Sequence, residues 1–242
     1  MIKGKAYSAL GGVFEYLNND CGYEQWSQYL INLLKNCVSG ADGLDIGCGN
    51  GYFTRAFIRA GYRVKGIDIS PEMLDTATKI AIKEGVRAEF LLGDITKLKI
   101  NGKVDFCTAV NDCINYVPKD KLKQAFSHVK NCLKKDGVFI FDISSAEKLK
   151  TIVGNNVFAE DRDDISYMWF NTVEGDKVIM DLTFFEREKD GNYSRFDERH
   201  IQYIYEEDEI ISALEEVGFS CKTEGHLGKE KKERINFICT RL

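Results

Sequence analysis

A basic surplus, metal-ligand spacing, paired cysteines and long apolar runs are all missing from this 242-residue chain, and each absence removes a class of function. Lys and Arg number 33 against 38 Asp and Glu, a net charge of −5. Phosphate backbones call for a basic face, so a nucleic-acid partner is disfavoured. The three histidines, His128, His200 and His226, have no ligand spacing, and no metal site is expected. None of the eight cysteines forms a C-x-x-C pair. Most lie in apolar runs such as Phe106-Cys107 and Ile238-Cys239, which fits buried free thiols in a reducing compartment better than disulfides. No run of about 18 apolar residues exists and the N-terminus lacks a signal-peptide core, so the expectation is a soluble, cytoplasmic chain with no membrane association. The one run of charges, Gly228 to Arg234, alternates in sign and reads as a solvated hairpin between two late strands. At this length one domain with a sizeable core is expected.

What is present begins at residues 44–51, Leu-Asp-Ile-Gly-Cys-Gly-Asn-Gly. Leu44 and Ile46 look like the end of a buried strand, and Gly47, Gly49 and Gly51 follow at every second position. A glycine-rich turn leaving a strand lets backbone amides approach a ligand with no Cβ in the way. Asp45 stands two residues before the first glycine, and Tyr52 occupies the place of the third glycine of a dinucleotide fingerprint. Phe53, Ala56, Phe57 and Ala60 then mark an amphipathic helix ended by Gly61. Val64 to Ile69 reads as a second strand carrying Asp68, and Ser70-Pro71-Glu72 as a helix start with Ser70 as N-cap. Arg87 to Leu92, Val104 to Val110 and Val138 to Ile143 read as further strands, with a helix over 119–134. Such alternation predicts an α/β fold, a doubly wound Rossmann-like sheet, whose ligands bind at the carboxyl ends of the strands. Gly47, Asp68, Asp94, Asn111 and Asp142 fall there. Any one of these acids alone is more simply a helix cap or turn residue.

The ordered set LDIGCGNG, GIDISPEML, GDI and GVFIFDI resembles motifs I to V of the class I S-adenosylmethionine-dependent methyltransferases over roughly residues 24–143. The resemblance implies a seven-stranded sheet and S-adenosyl-L-methionine as cofactor. Gly47, Cys48 (through its amide) and Gly49, together with Asp45 of the same motif, would serve the methionine part. Asp68 would hold the ribose hydroxyls, and Ile69 and Met73 would border the adenine. Asp94 would accept the adenine amine, with the Ile95 amide beside it, and Asn111 would lie under the methionyl end. Early aromatics (Tyr7, Tyr16) and Gly22-Tyr23-Glu24-Gln25-Trp26-Ser27 are similar to bacterial small-molecule methyltransferases, among them sugar-nucleotide N-methyltransferases and glycine N-methyltransferase-like enzymes. A helix over 24–38 is expected to bring Tyr23 and Trp26 to the cofactor. Asn115-Tyr116 after the fourth strand, and Arg195-Phe196-Asp197-Glu198-x-His200 in a late insert, are similar to segments of uncharacterised relatives, and Asn115 and Tyr116 join the catalytic candidates. With Pro71 and Pro118 the only prolines, there is no Asn/Asp-Pro-Pro-aromatic motif and no Pro-Cys pair, so the likeness does not extend to DNA adenine or cytosine C5 methylation.

Residues 155–205 break the rhythm. Ile165 to Val173, Val178 to Glu186 and Tyr193 to Tyr205 read as strands joined by turns at 174–177 and 189–192, an antiparallel β lid inserted after strand five. The expected division is therefore 1–154 with 206–242 for the cofactor and 155–205 for the substrate. Phe196, Glu198 and His200 share one face of the third lid strand. Histidine is the residue type suited to proton transfer at neutral pH, so His200 is the first candidate for a general base, with a hydrogen-bonded structural role at least as expected. Together these readings point to a methyltransferase acting as monomer or homodimer on a small-molecule methyl acceptor, with N-methylation of an amine first and O-methylation close behind. A nicotinamide-dependent oxidoreductase and a non-catalytic S-adenosylmethionine-binding protein remain as alternatives.

Overall fold

The computed structural model describes residues 4–5 and 22–242. Tyr7 and Tyr16, singled out above, lie outside the described residues. In chain order the first elements are β1 (Gly4–Lys5), α1 (Tyr23–Cys37), β2 (Asp42–Ile46), α2 (Tyr52–Arg59), β3 (Arg63–Asp68), α3 (Pro71–Lys83), β4 (Glu89–Leu92), β5 (Val104–Ala109), α4 (Leu122–Cys132) and β6 (Leu133–Ser144). Then come β7 (Val157–Asp161), β8 (Ile165–Glu174), β9 (Lys177–Arg187), β10 (Tyr193–Tyr203), α5 (Glu207–Val217), β11 (Phe219–Gly225) and β12 (Arg234–Arg241).

Seven strands form one sheet in the order β11-β12-β6-β5-β2-β3-β4, parallel except for β12, which runs antiparallel to both of its neighbours. Successive side chains of β6 feed opposite layers, as a strand buried on both faces must. Val138 and Ile140 join Leu30, Leu34, Phe53, Phe57 and Phe106 under α1 and α2. Phe139, Phe141 and Ile143 join Phe126, Leu214, Phe219 and Phe237 under α4 and α5. Local chemistry sets the helix ends: the Ser70 hydroxyl accepts the Met73 amide with Pro71 at the first helical position.

A second sheet has the order β1-β10-β9-β8-β7. The three strands expected over 165–205 are joined by two others. In β7 all five residues are exposed at an edge, and Val-Phe-Ala-Glu-Asp carries no period-2 pattern to read. The two residues of β1 pair in parallel with Glu198 and Arg199 and are too few for any pattern. The β8–β9 turn is the two-residue kind, with Gly175 at φ 62°. On one face of this sheet Met180, Leu182 and Phe184 are buried with Glu198, His200 and Gln202. On the other, Arg195 pairs with Asp197 and Arg199 with Asp181. Side-chain bonds tie the second sheet to the turn that follows β5, among them Asn115 donating to the Tyr203 carbonyl at 3.1 Å and the Tyr205 hydroxyl to the Val117 carbonyl at 2.7 Å.

Candidate active site

The turn leaving β2 is built for close approach. Gly47, Gly49 and Gly51 have φ of 69°, 55° and 77°, the left-handed region where a Cβ is penalised. At Gly47 a Cβ would also lie 2.4 Å from the Cys113 sulfur. The Gly47 and Cys48 amides donate to the Ile67 carbonyl at 2.7 and 3.0 Å, which draws the turn against the tip of β3. Asp68 completes the clamp: its two oxygens accept the Gly49 amide at 2.7 Å and the Ser70 amide at 2.9 Å. Burial pushes its carboxyl above the ordinary range despite those two bonds. A carboxylate offers about four lone-pair sites, so the group keeps capacity to accept a ligand hydroxyl.

Beside this turn, at the carboxyl ends of the strands, lies a cavity of about 370 Å³. Its walls include Gly47, Cys48, Gly49, Asp68, Ile69, Met73, Asp94, Ile95, Asn111, Tyr23 and Tyr116, eleven of the fifteen residues singled out for the site. Ile69 is 67% exposed at the rim, an apolar side chain at a strand tip. Asp94 caps the turn over Ile95–Lys97 through the Thr96 amide, 2.8 Å away. Tyr23 and Tyr52 stand with ring centroids 5.0 Å apart, and the Tyr23 hydroxyl accepts from the Asn111 amide group at 3.2 Å.

The other four residues do not line the cavity. Asp45 is wholly buried behind the glycine turn, where it accepts Thr54 of α2 at 2.6 Å and Thr108 of β5 at 2.9 Å. Burial raises its carboxyl to about 6. Trp26 lies one helical turn deeper than Tyr23, 3% exposed, edge-on to Phe53 and His226. Asn115 is fully buried, accepting the Ser144 amide at 2.9 Å and donating to Tyr203. His200 is 5% exposed. Its Nδ1 meets the Tyr116 hydroxyl at 3.0 Å and its Nε2 the Glu198 carboxylate at 3.0 Å, so Tyr116 joins this pair to the cavity wall.

Glu198, Asp112 and Arg234 of this region were given no site role in the sequence reading. Glu198 was a face-mate of His200 inside the Arg195-Phe196-Asp197-Glu198-x-His200 segment, and that shared face was the usable signal. Asp112 follows Asn111, and both have positive φ, 66° and 61°. Asp142 accepts their two amides at 3.2 and 2.6 Å. Arg234 bonds both Asp112 and Asp142, and nothing in its alternating charge run marked it as buried. Burial holds the Asp142 carboxyl above its ordinary range. Burial acts the same way on Asp112, but the Arg234 guanidinium outweighs it and holds that carboxyl low. Among the described residues no cluster of His, Cys, Asp and Glu has the arrangement of a metal site, and no helix is long and apolar enough to cross a membrane.

Residues 44–137 match a family model described as a methyltransferase domain. A solved S-adenosylmethionine-dependent methyltransferase from Clostridium acetobutylicum ATCC 824 is 32% identical and superposes with a TM-score of 0.88 over 98% of this chain and 99% of that one. A candidate methyltransferase of Geobacillus sp. (strain WCH70) is 33% identical over 221 residues, 88% of this chain and 89% of its own. The sugar N-methyltransferase of Streptoalloteichus sp. ATCC 53650 is 14% identical yet superposes with a TM-score of 0.83 over 100% of this chain and 96% of that one, a likeness of fold alone.

Proposed function

Because the chain belongs to the S-adenosylmethionine-dependent methyltransferases, we propose that the strand-tip cavity holds the cofactor and that a small-molecule amine is methylated on its Tyr116 side. The residues fit such a group: three left-handed glycines beside an open cavity, a carboxylate on its wall with acceptor capacity left, and apolar Ile69 and Met73 in the same wall. Asp68 would hold the ribose hydroxyls. Asp94 and the Ile95 amide would take the adenine edge, and the glycine turn and Asn111 the methionyl end. The bound cofactor supplies an electrophilic methyl group on a sulfonium. Alignment of the acceptor with that methyl, in a site that excludes water, is the protein's main contribution to rate.

The observation that carries the amine reading is the chain Tyr116–His200–Glu198, with links of 3.0 and 3.0 Å running from the cavity wall to a fully buried carboxylate. An amine must give up a proton to become nucleophilic. Tyr116 can pass a proton inward to His200, and Glu198 holds the imidazole and balances the charge it gains. Tyr116 comes from the turn after β5 and His200 from β10, so the pair spans the seven-stranded sheet and the 155–205 insert. In this reading the insert is the substrate lid and sets acceptor choice.

The test is methyl transfer from labelled S-adenosylmethionine to a panel of amino sugars, amino acids and matched hydroxyl acceptors. Amine turnover is expected, and His200→Gln should lower its rate about 100-fold with cofactor affinity intact. Turnover of hydroxyl acceptors alone would replace the amine reading with O-methylation. A His200→Gln enzyme with wild-type rates would leave the histidine a cross-sheet structural partner.

A further inference from the structure

Arg234 closes the charge run Gly228 to Arg234, yet its side chain is 11% exposed. It opens β12 and points under the loop that follows β5. Nη1 donates to Asp112 Oδ1 at 2.8 Å and also to Asp142, and Nη2 reaches Asp112 Oδ2 at 3.2 Å. The guanidinium carbon lies 4.8 Å over the Trp26 ring. Ser144 adds a hydroxyl to Asp112 at 2.9 Å. The site is thus one delocalised cation, forked between two buried carboxylates and stacked on an indole.

That arrangement has a backbone consequence. Asn111 and Asp112 are consecutive residues with a Cβ in the left-handed region, a conformation that persists only where the surroundings over-determine it. The surroundings here are the Asp142 carboxylate, which accepts both amides, and Arg234, which keeps two carboxylates together in one buried place. The same turn sends Asn111 and Cys113 into the cavity wall, and Asn111 reaches Tyr23 across the cavity. We infer that Arg234, which does not line the cavity, is a positioning residue for the cofactor: by sharing its guanidinium between Asp112 and Asp142 it fixes the left-handed turn that forms the methionyl wall. The inference rests on the reading of the cavity as the cofactor site.

Loss of the cation leaves two like charges buried side by side, a state a protein leaves by protonating one group or turning it to water. Either way Asp142 is no longer held against the two amides, and the turn relaxes. Lysine is a poor substitute, because a point charge cannot fork to two carboxylates or stack on the indole as guanidinium does. Glycine at 112 adopts the left-handed backbone without penalty and removes one of the two carboxylates.

The experiment is calorimetric titration of S-adenosylhomocysteine into folded wild type, R234K, R234M and the R234M/D112G double variant, well below each unfolding midpoint. Coupling between separate sites is commonly 5- to 150-fold, so R234M should weaken binding by at least ~10-fold and R234K by about 5-fold. R234M/D112G should recover to within about 5-fold of wild type by the same scale. If R234M does not fold, R234K alone decides. Wild-type affinity in R234K and R234M, with only the unfolding midpoint lowered, would make Arg234 a fold element and overturn the inference. Absence of binding by wild type is a different failure, that of the cavity assignment.

Discussion

Asp45 stands inside the glycine motif, yet its carboxylate turns away from the cavity to Thr54 and Thr108. Its work is to tie the turn to α2 and β5, and it does so fully buried, with its carboxyl raised to about 6 from an ordinary 3.8. The folded chain therefore keeps a proton that the unfolded chain releases, and unfolding gains in favour as pH rises across that interval. The stabilising contribution is complete below pH 3.8 and gone above about 6. Asp45→Asn, which has no proton to lose, should gain on wild type by on the order of 2–3 kcal/mol between those limits. Urea melts of both proteins at the two ends of the interval measure it, and a difference that does not change with pH would refute the raised carboxyl. Trp26 shows the same limit of residue-level reading. Its helical spacing from Tyr23 is plain in the sequence, but which of the two meets the cavity depends on how far α1 is rotated over Phe53, and that is set by tertiary packing.

At the scale of elements, the βα units were legible because their signals are local. Short, largely apolar runs, each with a Gly, Asp or Asn at its tip, gave β2, β3, β5 and β6, and Ser70-Pro71 gave the start of α3 to the residue. The misses have equally local causes. Lys119–Lys121 is a separate 3₁₀ turn, not the first turn of α4. β7 is an edge with nothing to alternate against, and β1 is two residues long. The side-chain clamps between elements had no sequence signal at all. Asn115 is the clearest: the sequence resemblance makes it a catalytic candidate beside Tyr116, and in the fold it bridges Ser144 of β6 and Tyr203 of β10. Asn115→Ala would strand a buried amide and two carbonyls, and should cost about 2–4 kcal/mol of unfolding free energy. Denaturant unfolding is the check. A loss under about 0.5 kcal/mol, the scale of an ordinary surface change, would mean that the two sheets are held elsewhere.

At the scale of the molecule, the two sheets divide the labour proposed for the enzyme. The seven-stranded sheet gathers Gly47, Asp68, Asp94 and Asn111 at its strand tips by topology alone, which is why half of the cavity wall could be named before the fold was seen. The antiparallel sheet contributes Glu198 and His200, and their meeting with Tyr116 needs the packing of one sheet on the other, which no pattern along the chain encodes. Everything proposed for acceptor, proton transfer and Arg234 depends on the cofactor lying in that cavity against Asp68. Calorimetric titration of S-adenosylhomocysteine into wild type and Asp68→Ala tests this directly. Wild type should bind, and the variant, with two ribose hydroxyls losing a charged acceptor, should bind more weakly by roughly 2–3 kcal/mol. Asp68 also holds the Gly49 and Ser70 amides, so the ligand-free variant should be less stable too, and the comparison belongs at a temperature where both proteins are folded. No heat with folded wild type at millimolar ligand, or equal affinity in the two proteins, would contradict the assignment.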